Sequence, residues 1–253
     1  MRNVSAGIII FIVVISLGVI IFFEFFDTPK KDVSFEYGES SSQELIFSNN
    51  CVIESLDGIL EKKEKDDLGW TLAKEKEVIS DDVQFRTKEK SRAFILFENG
   101  VVLRLDEQTQ AEVEFSKKKI EVKLIQGEIY SRMDEFENVE YSILIGNHKL
   151  VPKNGTLIVR RDEERNVKLV IIGGEVEFVN EIKNSSEKFY SGNSIMIFDD
   201  RSESKEITKE DVSSNFFVWS VGQGRQREMI DEIDRKEEEE KTKEDEAVIE
   251  EKI

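Results

Sequence analysis

One cysteine and one histidine, Cys51 and His148, stand in a chain of 253 residues, together with only two prolines. A lone cysteine excludes an intrachain disulfide framework, and with a lone histidine there is no His/Cys cluster of the kind that zinc or copper sites need. Proline-rich and Gly/Ser-rich low complexity are excluded too, since the 14 glycines are scattered. Positive charge is short: 36 Lys and Arg face 54 Asp and Glu, a formal net charge of −18. A nucleic-acid backbone or an anionic lipid surface would be repelled, so neither is an expected partner.

What the chain does have is a single long apolar run. Residues 6–23 (AGIIIFIVVISLGVIIFF) carry no charge, and Phe25 and Phe26 extend the run past Glu24. As a helix, residues 6–26 would span about 30 Å, the thickness of a hydrocarbon core. The run ends in bulky phenylalanines with no small-residue cleavage pattern, which favours a retained anchor over a cleaved signal peptide. The expectation is a single-pass membrane protein with a short flank at 1–5, a transmembrane helix at 6–26 and a polar tether at 27–42. Arg2 on one side and Lys30 and Lys31 on the other leave the orientation open on charge alone.

From 43 to 198 the chain reads as short alternating strands broken by Gly, Asn and Asp. Examples are 92–97 (RAFILF), 101–105 (VVLRL), 111–115 (AEVEF), 120–125 (IEVKLI), 139–145 (VEYSILI), 156–159 (TLIV) and 167–172 (VKLVII). Glu98-Asn99-Gly100 predicts a hairpin with a type I′ turn. Leu56-Asp57-Gly58-Ile59, Leu124 to Ile129 and Ile171 to Val176 are expected to be three more hairpins, the last two similar enough to hint at duplication. Residues 199–224 form an aromatic-containing connector. Phe216, Phe217 and Trp219 there, like Trp70, are expected to pack, the connector docking back on the sheet. Residues 225–253 form an acidic tail, helical or disordered, with a short apolar stripe at Met229, Ile230 and Ile233.

The order of turns from Val52 to Ile197 resembles the FecR domain, a β-rich module usually found outside the cytoplasmic membrane of bacteria. The resemblance is carried by Gly58-Ile59, Trp70, Asp82 with Thr87, Ser91-Arg92-Ala93, Asn99-Gly100-Val101 and Leu103-Arg104-Leu105 with Thr109. It continues through Leu124 to Ile129, Gly155-Thr156-Leu157-Ile158-Val159, Gly174-Glu175-Val176 and Ser191-Gly192-Asn193. The chain departs from the pattern at Asp81, Leu157 and Gly146-Asn147, where the family has Gly, an aromatic and a Thr-Pro pair. The resemblance implies an all-β, antiparallel, hairpin-rich sandwich or barrel-like domain over 43–198. The family's regulators resemble anti-sigma factors with a cytoplasmic domain ahead of the membrane helix. Five residues cannot form one, so their relay is not expected to transfer as it stands.

The functional expectation is a non-catalytic, membrane-anchored extracytoplasmic module that binds a protein or a cell-envelope polymer. The alternative is a transmembrane signalling component that acts through a separate cytoplasmic partner. No catalytic, cofactor-binding or metal-binding residue is assigned, and no cofactor is expected. His148 lacks any surrounding triad motif and is expected at a surface or strand edge. Cys51 is expected as a small buried apolar residue.

Overall fold

A computed structural model describes residues 50–250, apart from 81, 117, 135–138, 199 and 200. The expected span at 6–26 and the tether at 27–42 lie outside the described residues, among which no helix is long and apolar enough to cross a membrane.

Among the described residues, fifteen strands precede three helices. The strands are β1 (Cys51–Asp57), β2 (Leu60–Glu64), β3 (Thr71–Leu72), β4 (Val78–Ile79), β5 (Val83–Thr87), β6 (Arg92–Phe97), β7 (Val102–Leu105), β8 (Gln110–Ser116), β9 (Lys119–Met133), β10 (Glu140–Ile145), β11 (His148–Arg161), β12 (Val167–Asn180), β13 (Ser185–Tyr190), β14 (Asn193–Ile197) and β15 (Ser202–Glu206). The helices are α1 (Lys209–Val212), α2 (Asn215–Val221) and α3 (Gln223–Glu250).

Three strands are too long for one sheet and serve two. The first half of β9 pairs with β8 and β10, while its second half, from Gly127, pairs with β7 and β11. Likewise β11 changes partners near Asn154-Gly155, and β12 passes from β14 to β13 across Gly173-Gly174. Two layers result. Sheet one runs β15-β14-β12-β11-β9-β7-β6-β1-β4, and sheet two runs β13-β12-β11-β10-β9-β8-β5-β2-β3. Between them lies one apolar core that includes Ile53, Phe85, Ile95, Leu103, Val122, Ile129, Ile143 and Leu169, all fully buried. The expected sandwich is present, mostly strand, with one exception to its antiparallel pairing: β9 and β10 run parallel. The chain leaves β9 in sheet one and returns to sheet two beside β9's own first half, which a hairpin cannot do.

Of the four expected hairpins, one is a hairpin. Phe97 and Val101 close the β6–β7 loop, with Gly100 N–H donating to Phe97 O and Gly100 at φ +82°. Asn99 is not at positive φ, so the turn is a type I turn closed by a glycine bulge rather than type I′. The other three glycines are corners where the chain passes from one sheet to the other. Gly58 joins β1 to β2, which do not pair, while Gly127 and Gly174 lie inside unbroken strands. Glycine in a strand interior marks a bulge or sharp bend, and at Gly127, as at the Gly58 corner between strands, a hydroxyl locks the bend. A Cβ on Gly127 (φ +91°) would lie 2.4 Å from Thr109 Oγ1, and that same oxygen accepts the Glu128 N–H at 3.0 Å. A Cβ on Gly58 (φ +87°) would lie 2.4 Å from Ser91 Oγ, which accepts the Ile59 N–H at 2.9 Å. The two corners are built alike. Thr87 extends the first of them, its hydroxyl donating to Asp106 O and accepting from Thr109 N–H.

Candidate functional site

The two outer faces differ. Sheet two is covered by cross-strand ion pairs, among them Lys123–Glu112, Lys188–Glu175 and the pairing of Glu61 with Arg86 and Lys88. Beside that pairing, the Arg86 guanidinium lies 4.1 Å over the Trp70 ring. Sheet one presents a second apolar cluster, with Val102, Tyr130, Ile158, Val170 and Ile172 on the strands and Val212, Phe216, Phe217 and Met229 on the helices. The segment after β15 therefore folds back onto the sheet, as expected from its aromatic residues. The expected stripe of Met229, Ile230 and Ile233 faces this cluster, and the charged tail is helical over Gln223–Glu250.

Three polar devices fix the helices there. Thr208 and Asp211 form a capping box at the start of α1. Asp211, its side chain fully buried, also pairs with Lys168 at 2.5 Å. Burial opposes the Asp211 charge, yet the bonds from Lys168 and Thr208 outweigh it and hold the carboxyl below the usual range. The third device is Arg104 of β7. Its guanidinium donates to Trp219 O at 2.7 Å and Ser220 O at 2.8 Å, carbonyls in the last turn of α2, where a cation is favoured by the helix dipole. The rings of Phe94, Trp219 and Tyr130 surround it at 4.8, 5.1 and 5.5 Å. Desolvation lowers the Arg104 pKa, and no carboxylate pairs with it among the described residues.

Beside the start of α2, the same face opens into a polar cleft of about 780 Å³. Its wall comes from the end of β7 with the following turn (Asp106 to Gln108), the β9 corner (Gln126 to Glu128), the β11–β12 turn (Arg160 to Glu164) and Arg92. Several of these groups are committed. Arg92 pairs with Asp106 at 2.8 Å, Arg161 donates to Ile125 O at 3.0 Å, and the Asp162 carboxylate accepts from the Asn166 N–H at 2.8 Å. Glu128 and Arg160 are left to face the cleft as cross-strand neighbours, with Lys168 opposite Arg160 on its far side. Burial, helped by the nearby Asp106 charge, pushes the Glu128 carboxyl up to about 7. The cleft thus offers one carboxyl that changes charge near neutrality and one exposed guanidinium, groups suited to recognising a charged or hydrogen-bonding ligand.

The two residues weighed for nucleophilic chemistry lie elsewhere. Cys51 is fully buried at the start of β1, and desolvation raises its thiol to about 12. His148 starts β11 in sheet two, buried rather than at the surface, with its ring centroid 5.1 Å from that of Phe178. Among the described residues no group of His, Cys, Asp and Glu is arranged to hold a metal ion.

Arg104 and Glu128 lie in turns and strands that carry the resemblance, but nothing in the sequence assigned them or Arg160 a functional role. One signal was available: the sheet-one runs 101–105 and 169–172 are apolar at nearly every position, the pattern of strands buried on both faces.

No curated protein matches the chain. Two crystal structures of a candidate anti-sigma factor from Parabacteroides distasonis ATCC 8503 are similar over 49% of this chain, at 15% and 14% identity, each with a TM-score of 0.44. The chain spans 60% and 59% of those two chains. The family model described as FecR protein matches residues 83–177, the stretch from β5 into β12 that supplies the cleft's strand and turn residues. Over that stretch, the chain is similar to FecR proteins.

Proposed function

We propose that this protein is a non-catalytic FecR-domain module, tethered to the cell membrane by residues 6–26, that binds a protein or a cell-envelope polymer on the extracytoplasmic side. The observation that carries the reading is the polar cleft whose strand and turn residues lie within the family match, where Glu128 and Arg160 are left uncommitted while their neighbours are paired. Loops and corners held on a rigid β scaffold are where such modules make contact. The two groups weighed for nucleophilic chemistry are placed unfavourably: the thiol is buried with a raised pKa, and the histidine is packed in a different sheet. Recognition requires neither.

The family match also favours a second reading, in which the bound state is reported to a separate cytoplasmic partner as part of a regulatory pathway. Both readings are tested by cross-linking the full chain in its own membranes and identifying the adducts. A discrete partner for the wild type that is lost in Arg160→Glu is expected. Identical adducts from both would remove the cleft from the account, and a regulatory partner among them would select the second reading.

A further inference from the structure

The strands alone do not complete the cleft. Residues between Arg92 and Glu164, all within the family match, supply most of its wall, and Ser214, Asn215 and Phe216, which lie beyond that match, supply the rest. Ser214 is the N-cap of α2, and Asn215 and Phe216 belong to its first turn. A ligand that fills the cleft therefore touches the β domain and the helical segment docked on sheet one together.

The helices are tied to one another as one cover. Lys209 of α1 pairs with Asp234 and, at 3.1 Å, with Glu237 of α3, and the Gln226 side chain of α3 donates to Val212 O at 2.9 Å. Gly222, at φ +88°, ends α2 and leads directly into α3. Two cations serve both the cover and the cleft. Arg92 lines the cleft, paired with Asp106, and lies 6.0 and 5.7 Å from the rings of Phe216 and Trp219. Lys168, the cross-strand neighbour of Arg160, pairs with the buried Asp211 of α1. Both also act on the Glu128 carboxyl, so charge in the cleft and attachment of the cover meet at the same residues.

We infer that the cleft is complete only while α1, α2 and α3 are docked, so that binding in the cleft and docking of the helical cover are thermodynamically linked. The inference rests on the cleft being the binding site. A ligand that needs groups from two parts of a molecule binds the state in which both are in place, and by reciprocity its binding favours that state. Opening the cover lowers the apparent affinity in proportion to the fraction of molecules that stay docked. Occupancy of the cleft is in this way passed to α3, which moves with the cover.

The test uses the full chain in its own membranes, with a thiol-reactive benzophenone attached at Glu163→Cys on the β11–β12 turn or at Asn215→Cys at the start of α2, both exposed positions. Lys123→Cys, on the outer face of sheet two, is the control. Illumination is expected to give the same discrete adduct from Glu163→Cys and Asn215→Cys and none from Lys123→Cys. Phe217→Asp, added to Glu163→Cys, then opens the cover by burying a charge without altering a residue that lines the cleft. Hydrogen exchange verifies that 209–221 has lost protection while β9 and β11 have kept it, and the adduct is expected to fall at least tenfold. Should Phe217→Asp unfold the sandwich, Arg104→Gln gives a milder opening by removing the two bonds to α2, and the adduct should fall in step with the protection lost at 209–221. An adduct undiminished with the cover open would overturn the inference and leave the cleft reading standing, as would capture from Glu163→Cys without capture from Asn215→Cys. The same adduct from Lys123→Cys would mark the capture as unspecific and overturn the inference. No adduct from Glu163→Cys with the cover docked would overturn the cleft reading and the inference with it.

Discussion

Phe217→Ala tests whether the segment after the last strand belongs to the folded body. Phe217 is fully buried in the cluster between α2 and sheet one, and its N–H donates to Ser214 Oγ at 3.0 Å as the N-cap bond of α2. A helix of seven residues does not hold itself together in water, so α2 exists because Phe216 and Phe217 are docked. Removing a buried phenyl ring costs about 3–5 kcal/mol, combining lost transfer energy with the cavity left behind. At about 1.4 kcal/mol per tenfold change, the opening equilibrium of the helical cover should rise roughly 100-fold to several thousandfold. Hydrogen exchange read by mass spectrometry resolves where that opening occurs. Peptides covering 209–221 should lose protection by that factor, or to the limit of free exchange, while those covering the centres of β9 and β11 stay protected. Unchanged protection at 209–221 would refute the packing argument. An equal loss in the strands would show instead that cover and sheets open as one unit.

Three other outcomes follow from the geometry. Gly127→Ala should destabilise the domain by about 1–3 kcal/mol or more in urea titration, because it combines a strained positive φ with a Cβ clash against Thr109. A neutral result there would mean that the corner can relax. Glu128 is an acid whose folded-state pKa, about 7, lies above its unfolded value, so folding favours its protonated form. Its contribution is therefore absent below about pH 4 and becomes increasingly destabilising as the pH rises from there to about 7. Glu128→Gln should match the wild type in thermal stability at pH 4 and exceed it at pH 8, by up to about 3 kcal/mol; a gain at pH 4 instead would contradict the sign. Asp211→Ala removes both the α1 cap and the partner of Lys168, and should cost at least the ~1 kcal/mol of a lost cap, with the loss of exchange protection confined to the helical cover.

The sequence was most informative where local chemistry decides the outcome. Alternation placed the strands of sheet two, where Glu112, Glu121 and Lys123 face water and Val113, Val122 and Leu124 face the core. Glycine positions were legible as places where the chain bends, but not as the kind of bend. Gly127 and Gly174 read as hairpin tips because a positive φ serves a turn and a bulge equally well, and only the long-range pairing of β9 and β12 separates the two. The parallel β9–β10 pair was invisible for the same reason, since register across sheets has no local signature. Phe216, Phe217 and Trp219 announced a docking segment, and the unbroken apolar runs of sheet one supplied the surface that receives it. The candidate cleft was not legible. Glu128 and Arg160 are ordinary outward-facing strand residues in a chain rich in charge, and they meet only because β9 and β11 pair in antiparallel register.

The most direct measurement of the account's central claim is labelling of a Glu163→Cys variant in intact cells with a membrane-impermeant maleimide. Glu163 lies on the exposed β11–β12 turn that lines the cleft, and Cys51, buried with its thiol raised to about 12, should stay silent. The account predicts labelling from outside in unbroken cells, and slower labelling when the partner is present. Reaction that appears only after lysis would contradict it.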